Sequence, residues 1–157
     1  MSKKIAVGAD HAGFPLKNPV IKYLKDNGYE VLDFGTNSTE PVDYPDFAQK
    51  VGEAVKDGKA DMGVVLCGSG VGASVAANKI PGVRAGLCHD TFSARQGRED
   101  DDTNVLCMGA RVIGESLAME VLKSFVQAEF SNAERHLRRL NKVISVEKRY
   151  MNQTVGG

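Results

Sequence analysis

The stretch Val64–Val65–Leu66–Cys67–Gly68–Ser69–Gly70–Val71–Gly72–Ala73–Ser74 decides the fold. It begins with an aliphatic run that ends at a cysteine, which is typical of a buried strand in a parallel sheet. Glycines at alternate positions follow, and they allow the backbone to turn sharply and to approach a ligand closely. The small residues after them begin a helix, whose free N–H groups would face that ligand. The stretch predicts a strand, an anion-holding turn and a helix, although a tight turn with nothing bound has the same pattern.

Strand and helix patterns alternate along the whole chain. Strands are predicted over residues 4–9, 29–34, 62–67, 83–88 and 104–108. Helices are predicted over residues 15–28, 45–58, 71–79, 91–96 and 115–130, and from a cap at Asn132 to about residue 150. This alternation predicts a doubly wound α/β fold with a five-stranded parallel sheet and helices on both faces. No linker divides the chain, so we expect a single domain over residues 1–157.

The composition narrows the possible partners. Lys plus Arg and Asp plus Glu number 20 each, so no overall field favours nucleic acid or an anionic membrane. No apolar stretch approaches the length of a membrane span. The first residues, Met1–Lys4, lack the apolar core of a signal peptide, and the three cysteines show no CxxC spacing. We therefore expect a cytoplasmic protein without membrane or nucleic-acid partners.

Polar residues follow the predicted strands, at the sheet edge where ligands of such folds bind. They are Asp10 and His11, the loop 35–44, Cys67 to Gly72, His89 and Asp90, and residues 109–111. A thiol just before a helix favours the thiolate, which acts as a nucleophile or a general base. The alternative for Cys67 is a cysteine packed as a small hydrophobe, as we expect for Cys88 and Cys107. Without CxxC spacing we expect no metal.

The other candidates each have two interpretations. Asp10 and His11 would bind a hydroxyl and an anion, or they are a helix-capping aspartate and an uninvolved histidine. Ser69 would orient a hydroxyl or only form the turn. The arginines of the second half would hold phosphate or form a solvated helix face. These arginines are Arg111, Arg135, Arg138 and Arg139.

Two function classes fit the spacing. Gly68-x-Gly70-x-x-Ala73 matches the dinucleotide fingerprint, and Asp90 lies where a ribose-binding acid is expected. That fingerprint normally follows the first strand of a fold, however, whereas here it follows the third. The other class is an enzyme that holds a small phosphorylated metabolite beside a thiol base. The spacing favours this second class modestly.

Six motifs together carry a family resemblance. They are Gly8-Ala9-Asp10-His11-Ala12-Gly13, Asp43-Tyr44-Pro45, Cys67-Gly68-Ser69-Gly70-Val71-Gly72, Ala76-Ala77-Asn78-Lys79, Asp102-Thr103-Asn104-Val105-Leu106 and Arg135-His136. From about residue 4 to residue 150 the chain resembles the type B ribose-5-phosphate isomerases and the related galactose-6-phosphate and allose-6-phosphate isomerases. The resemblance implies a Rossmann-like three-layer sandwich. It also implies a homodimer, often paired into a tetramer, with sites between subunits and no metal or other cofactor.

The activity implied by the resemblance is aldose–ketose isomerisation through a cis-enediolate. Ribose 5-phosphate to ribulose 5-phosphate, a reaction of the pentose phosphate pathway, is the first expectation. The alternatives are allose 6-phosphate, galactose 6-phosphate or a tetrose phosphate as substrate, and a protein that binds sugar phosphates without turning them over.

The resemblance also implies a role for each site residue. Cys67 would be the base, assisted by Ser69, and Asp10 would bind sugar hydroxyls. Tyr44 would line the pocket. The backbone of Gly68, Gly70, Val71 and Gly72 would hold the oxyanion. The phosphate would be held by His11, Arg111, Arg135 and Arg139, some of them from a partner on which the helix 132–150 packs, while Arg138 stays a surface residue.

One position departs from the family pattern. The family usually has a histidine, which opens the sugar ring, followed by an asparagine, and this chain has Asp100 and Asp101 there. A carboxyl group is almost fully ionised at pH 7 and is a poor acid, unless crowding with Glu99, Asp101 and Asp102 makes the cluster titrate as a unit. By position, Asp101 would contact the substrate.

Three hypotheses address this departure. Asp100 acts as an acid or base on the anomeric hydroxyl, or His89 supplies the missing acid. Alternatively, the substrate is a sugar that is open-chain for more of the time, with a tetrose phosphate as the limiting case.

Overall fold

The predicted alternation of strands and helices is present in the computed structural model, which describes residues 2–151. The strands are β1 (Lys4–Ala9), β2 (Glu30–Asp33), β3 (Met62–Cys67), β4 (Ala85–Leu87) and β5 (Val105–Gly109). The helices are α1 (Phe14–Asp26), α2 (Tyr44–Lys56), α3 (Val71–Ala77), α4 (Thr91–Asp101), α5 (Glu115–Gln127) and α6 (Glu134–Tyr150). No helix in this range is long and apolar enough to cross a membrane.

The strands form one parallel sheet in the order β2-β1-β3-β5-β4. Alternate strand residues enter two separate cores. Val7 and Leu66 pack on the side of α1 and α5, whereas Ala6 and Val65 pack on the side of α2 and α3. Because both faces are covered, the strands are continuous apolar runs rather than alternating patterns. The predicted three-layer α/β fold with five parallel strands is confirmed.

Helix α4 is longer than the predicted 91–96, so the acidic residues Glu99–Asp101 are helical rather than a linker before β5. Glu99, Asp100 and the C-cap residue Asp102 each have a partner four residues earlier, and such pairs stabilise a helix. Arg95 pairs with Glu99, Gln96 donates to Asp100, and Arg98 pairs with Asp102. The prediction of a short α4 was therefore wrong, because these pairs compensate for the poor helix propensity of aspartate.

The predicted cap of the last helix was also wrong. Asn132 lies outside α6 in the left-handed region, with φ 56°. Ala133 is the residue before the helix, and no side chain caps it. Instead, Ser131 Oγ accepts a hydrogen bond from the Ala133 amide at 3.2 Å.

Backbone segments approach one another closely at the carboxyl edge of the sheet. A Cβ atom on Gly13 would lie 2.1 Å from the carbonyl oxygen of Leu66, and one on Gly109 would lie 2.5 Å from the carbonyl carbon of Ser69. Gly70 has φ +80°, and a Cβ atom there would lie 3.0 Å from the carbonyl carbon of Met108. The loops after β1, β3 and β5 are therefore packed backbone against backbone, which only glycine permits at these positions.

We expect Gly13→Ser to lower the free energy of unfolding by about 3 kcal/mol, because the new side chain meets the β3 backbone. The φ of Gly13 is −83°, which any residue adopts, so the cost is steric. Gly114→Ser is the matched control, because Gly114 also precedes a helix but has nothing within 4 Å of its Cβ position. Urea unfolding should show a change within about 0.5 kcal/mol for the control. Equal losses in the two variants would contradict the steric argument.

Candidate active site

A cavity of about 370 Å³ lies at the carboxyl edge of the sheet, where β1 and β3 are neighbours. Their connections leave in opposite directions, which is the usual ligand position of this architecture. The lining residues are Asp10, His11, Ala12, Tyr44, Cys67, Gly68, Ser69, Gly72, Arg111 and Val112. Most of the residues singled out in the sequence at strand ends are therefore brought together within one chain.

Cys67, the last residue of β3, has its sulfur held by the glycine turn. Sγ accepts a hydrogen bond from the Gly70 amide at 3.0 Å. The left-handed conformation of Gly70 folds that amide back over the sulfur. The Gly70 N–H fixes the direction of the sulfur and is a donor suited to a negative charge there.

Two of the four backbone positions predicted to hold an oxyanion are engaged inside the loop itself. The Gly70 amide donates to Cys67 Sγ, and the Val71 amide donates to Ser69 Oγ at 3.1 Å. Gly70 and Val71 do not line the cavity, whereas Gly68 and Gly72 do. If this turn holds an oxyanion, the backbone at Gly68 and Gly72 is in the better position.

The Asp10–His11 pair is fixed by backbone contacts. Asp10 is buried, and its Oδ1 accepts a hydrogen bond from the Gly13 amide at 2.8 Å, just before α1. His11 Nδ1 accepts from the Val42 amide at 3.1 Å. A neutral imidazole that accepts at Nδ1 carries its proton on Nε2, so His11 has an N–H donor besides this contact. Asp10 thus combines a turn-forming contact with a place in the cavity wall.

Two walls of the cavity rest on glycine backbone. A Cβ atom on Gly72 would lie 2.7 Å from Tyr44 Cζ, so the tyrosine ring lies directly against this residue. A Cβ atom on Gly68 would lie 3.4 Å from both Cδ and Nη1 of Arg111. The Arg111 amide also donates to the Gly68 carbonyl at 3.0 Å. The turn therefore positions an aromatic ring and a guanidinium group around the thiol.

Lys17 is a buried residue that the sequence interpretation missed. Its Nζ contacts both carboxylate oxygens of Asp33 at 2.9 Å and donates to Asn37 Oδ1 at 2.7 Å. These contacts anchor the start of the loop that carries Val42, the residue whose amide orients His11. The signal in the sequence was a lysine within the apolar stripe of α1, beside Leu16.

Besides Gly70 and Val71, five predicted site residues lie outside this chain's cavity. Asp101 lines a different cavity of about 490 Å³ beside β4 and α6. Arg135 and Arg139 are on the exposed side of α6. Asp100 contacts His136 and Gln96, and His89 Nε2 accepts from the Gly109 amide at 2.9 Å.

The acidic run does not form the crowded cluster that the sequence suggested. Successive residues of a helix point about 100° apart, so neighbouring carboxylates face different directions, and Glu99, Asp100 and Asp102 have separate partners. Glu99 is 3.8 Å from Arg95, and Asp100 is 3.3 Å from His136 Nε2. Asp102 is flanked by Arg84 at 3.0 Å and Arg98 at 3.5 Å. The expected mutual repulsion of these groups is therefore replaced by separate pairings.

The remaining cysteines are packed in the two cores. Burial, with a smaller contribution from Asp90, raises the pKa of Cys88 to about 11. Burial, and to a lesser degree the neighbouring Cys67 and Cys88, raises the pKa of Cys107 as well. Both thiols therefore remain protonated at neutral pH, as expected for cysteines that pack as small hydrophobes. Within residues 2–151, no group of three His, Cys, Asp or Glu side chains is placed to hold a metal.

Comparison with known proteins identifies the family. A profile described as Ribose/Galactose Isomerase matches residues 5–143. The chain belongs to this family. It is 44% identical to Ribose-5-phosphate isomerase B of Escherichia coli, over 94% of this chain and 98% of the relative. It is 45% identical to D-erythrulose-4-phosphate isomerase of Pectobacterium atrosepticum, over 80% of this chain and 84% of the relative.

A solved structure agrees with this assignment. Clostridium thermocellum Ribose-5-Phosphate Isomerase B superimposes with a TM-score of 0.91 at 49% identity, covering 94% of this chain and 99% of that one. The resemblance carried by the DHAG and CGSGVG motifs is therefore confirmed, and so is the fold of the ribose/galactose isomerase family.

We expect iodoacetamide at pH 8 to modify Cys67 first in the folded protein, because Cys67 lines a cavity. With a pKa of about 11, Cys88 should react about a hundredfold more slowly than a free cysteine. A raised pKa means that its labelling accelerates as the pH approaches 11. Peptide mass mapping locates the label.

Cys67→Ser is the control for this labelling experiment. The folded variant should incorporate almost no label, whereas the same variant unfolded in urea should be labelled at Cys88 and Cys107. Rapid labelling of Cys88 or Cys107 in the folded wild type would contradict the assignment.

Proposed function

We propose that this chain is an aldose–ketose isomerase of a phosphorylated sugar in which Cys67 is the base. The observation that carries the proposal is a thiol at the end of β3, oriented by the Gly70 amide and facing a cavity lined by Asp10 and His11. Asp10 binds sugar hydroxyls, and Tyr44, which lies against Gly72, forms part of the wall.

The proton transfer follows from this arrangement. The Cys67 thiolate removes the proton from C2 of the open-chain aldose, which forms a cis-enediolate. The thiol then returns a proton to C1, while a proton moves from O2 to O1, and Ser69 assists that movement. The backbone at Gly68 and Gly72 stabilises the oxygen on which negative charge develops.

The phosphate is held by cationic and N–H donors that line the same cavity. His11 offers an Nε2–H group because Val42 occupies its Nδ1, and Arg111 offers a guanidinium group beside Gly68. Arginine forks match the geometry of a phosphate group. Arg135 and Arg139 complete this set from a second subunit.

The second subunit is part of the proposal because Arg135 and Arg139, the other two arginines proposed to bind phosphate, lie on α6 and do not line the cavity of their own chain. Helix α6 also exposes apolar side chains, with Val143 55% and Val146 59% accessible. A homodimer that covers this face would bring Arg135 and Arg139 of one chain to the cavity of the other. Whether dimers pair into tetramers does not affect this arrangement.

Ribose 5-phosphate is the first substrate of the proposal, since the E. coli and C. thermocellum relatives carry that name. The enzyme would then serve the pentose phosphate pathway in the cytoplasm. Allose 6-phosphate and galactose 6-phosphate are longer alternatives.

A tetrose 4-phosphate is the second candidate substrate, and a specific observation favours it. Both carboxylate oxygens of Asp100 are occupied by contacts with His136 and Gln96, away from the cavity. A tetrose with phosphate on O4 cannot close a furanose ring, so its isomerisation needs no ring-opening acid. The P. atrosepticum relative is named for a sugar of this length.

We expect the purified protein in D2O to introduce deuterium at C2 of its aldose phosphate without added metal, because Cys67 exchanges its proton with solvent. Proton NMR of ribose 5-phosphate, allose 6-phosphate and erythrose 4-phosphate would compare the substrates. Cys67→Ala should lower kcat at least about a thousandfold.

Cys88→Ala is the matched control and should keep the activity. Faster exchange of erythrose 4-phosphate than of ribose 5-phosphate would favour the tetrose. Binding of all three sugars without any exchange would instead indicate a protein that only binds sugar phosphates.

We expect mixed subunits to restore activity. Cys67→Ala and Arg135→Ala should each be nearly inactive alone. After unfolding and refolding together in equal amounts, half of the dimers should be mixed, and each would have one intact site. The mixture should therefore recover about a quarter of the wild-type activity. No recovery, although mixed dimers form, would show that Arg135 serves its own chain or none.

A further inference from the structure

Helix α6 is held to the rest of its own chain by few buried residues. Of its residues Glu134–Tyr150, His136 and Leu140 are buried, and the others are exposed or partly exposed. These two are one helical turn apart and form the inner side of the helix. Near the other end of α6 the Glu147 carboxylate accepts a hydrogen bond from the Gly82 amide at 3.0 Å. The orientation of the first half of the helix therefore depends on what His136 contacts.

Both ring nitrogens of His136 have partners at the junction of α4 and α6. Nδ1 is 2.6 Å from Ser131 Oγ, and Nε2 is 3.3 Å from Asp100 Oδ1. The other oxygen of Asp100 accepts from Gln96 Nε2 at 2.7 Å. The Ser131 amide donates to the Glu99 carbonyl at 3.0 Å. Hydrogen bonds, together with the close contact between the His136 ring and the Asp100 carboxylate, thus tie the beginning of α6 to the last turn of α4.

We propose that Asp100 and His136 are a positioning pair that sets the orientation of α6 and thereby presents Arg135 and Arg139 to the phosphate of the substrate. The inference rests on the proposed function for its substrate. It assigns Asp100 to substrate binding through α6, and not to proton transfer.

The helix geometry makes this connection direct. Arg135 and Arg139 are four residues apart and share one stripe of α6, which is displaced by one residue from the stripe of His136 and Leu140. A change in the rotation of α6 about its axis therefore moves both arginines together. Their partner is a phosphate group, which requires a guanidinium fork at hydrogen-bond distance, so a small displacement weakens binding.

The contacts of Asp100 also suit this role better than that of an acid. Asp100 has a partner at each carboxylate oxygen, because Oδ2 accepts a hydrogen bond from Gln96 and Oδ1 faces His136 Nε2 at 3.3 Å. A proton on either oxygen would compete with one of these contacts. The proposal does not depend on which sugar is the substrate, because the phosphate group is common to all candidates.

The test compares two variants at each position of the pair. Asp100→Ala removes the acceptor for His136, and we expect it to raise KM for the sugar phosphate about tenfold while kcat changes less than about twofold. Asp100→Asn keeps an oxygen acceptor and should restore most of the affinity. His136→Leu should behave like Asp100→Ala, whereas His136→Gln keeps an N–H group toward Asp100 and should bind nearly normally.

The double variant Asp100→Ala/His136→Leu should have a KM no higher than that of the single variant with the higher KM, because both substitutions break the same contact. Glu99→Ala is the matched control, since it removes a carboxylate from the same helix turn that pairs only with the exposed Arg95. It should leave KM unchanged.

Three results would overturn the proposal. An unchanged KM in Asp100→Ala would show that the pair does not act on binding. A loss of kcat of about a hundredfold in Asp100→Asn with normal KM would show that the carboxyl group transfers a proton. Equal KM increases in Asp100→Asn and Asp100→Ala would show that the contact between the position-100 oxygen and His136 is not what matters.

Calorimetric titration with inorganic phosphate separates this inference from the proposed function. If the wild type binds phosphate but isomerises no sugar phosphate, the proposed function fails. The positioning pair is then supported by weaker phosphate binding in Asp100→Ala and normal binding in Asp100→Asn, and is overturned by equal binding in the two. If the wild type isomerises a sugar phosphate and Asp100→Ala leaves its KM unchanged, the positioning pair is overturned while the proposed function stands.

Discussion

Close packing of backbone against backbone at the carboxyl edge of the sheet is the constraint on which the candidate site depends. The turn before α1 touches the end of β3 at Gly13, and the end of β5 touches the loop after Cys67 at Gly109. Because no side chains separate these segments, Asp10, Cys67 and Arg111 follow their strands at short distances from one another. The glycines thus determine the size of the cavity as well as the course of the chain, since larger residues would separate its walls.

The layers of the fold could be predicted from local patterns because the sheet is buried on both faces. The bounds of β3 were predicted correctly as residues 62–67, since an apolar run ends there at a glycine turn. Prediction was weaker where long-range contacts decide the ends. Strand β4 was predicted over residues 83–88 but comprises only Ala85–Leu87. It begins later because the Arg84 amide donates to the side-chain Oδ1 of Asn104 at 2.7 Å, and not to the backbone of a neighbouring strand.

The candidate site shows the same division between local and distant effects. That Cys67 and Asp10 would meet follows from topology, because parallel strands end at one edge of the sheet. The tautomer of His11 and the anchoring of its loop depend on Val42 and on the buried Lys17, which are distant in sequence. No local periodicity predicts such pairs. The same is true of Asp100, whose partner His136 lies on another helix.

The contrast between the glycine turn and α6 has a functional consequence. The sulfur of Cys67 is fixed by backbone groups of its own loop, so its geometry depends on residues within three positions in sequence. Helix α6 is fixed by side-chain contacts such as that of His136 with Asp100, and these change when one residue is replaced. Proton transfer is sensitive to small displacements of the reacting atoms, whereas phosphate binding is shared among several donors. Under the proposed function, substitutions near α6 would therefore alter affinity while the geometry around the thiol is preserved. In a protein with this architecture, an aspartate at position 100 is compatible with an intact arrangement of backbone donors around the Cys67 thiol.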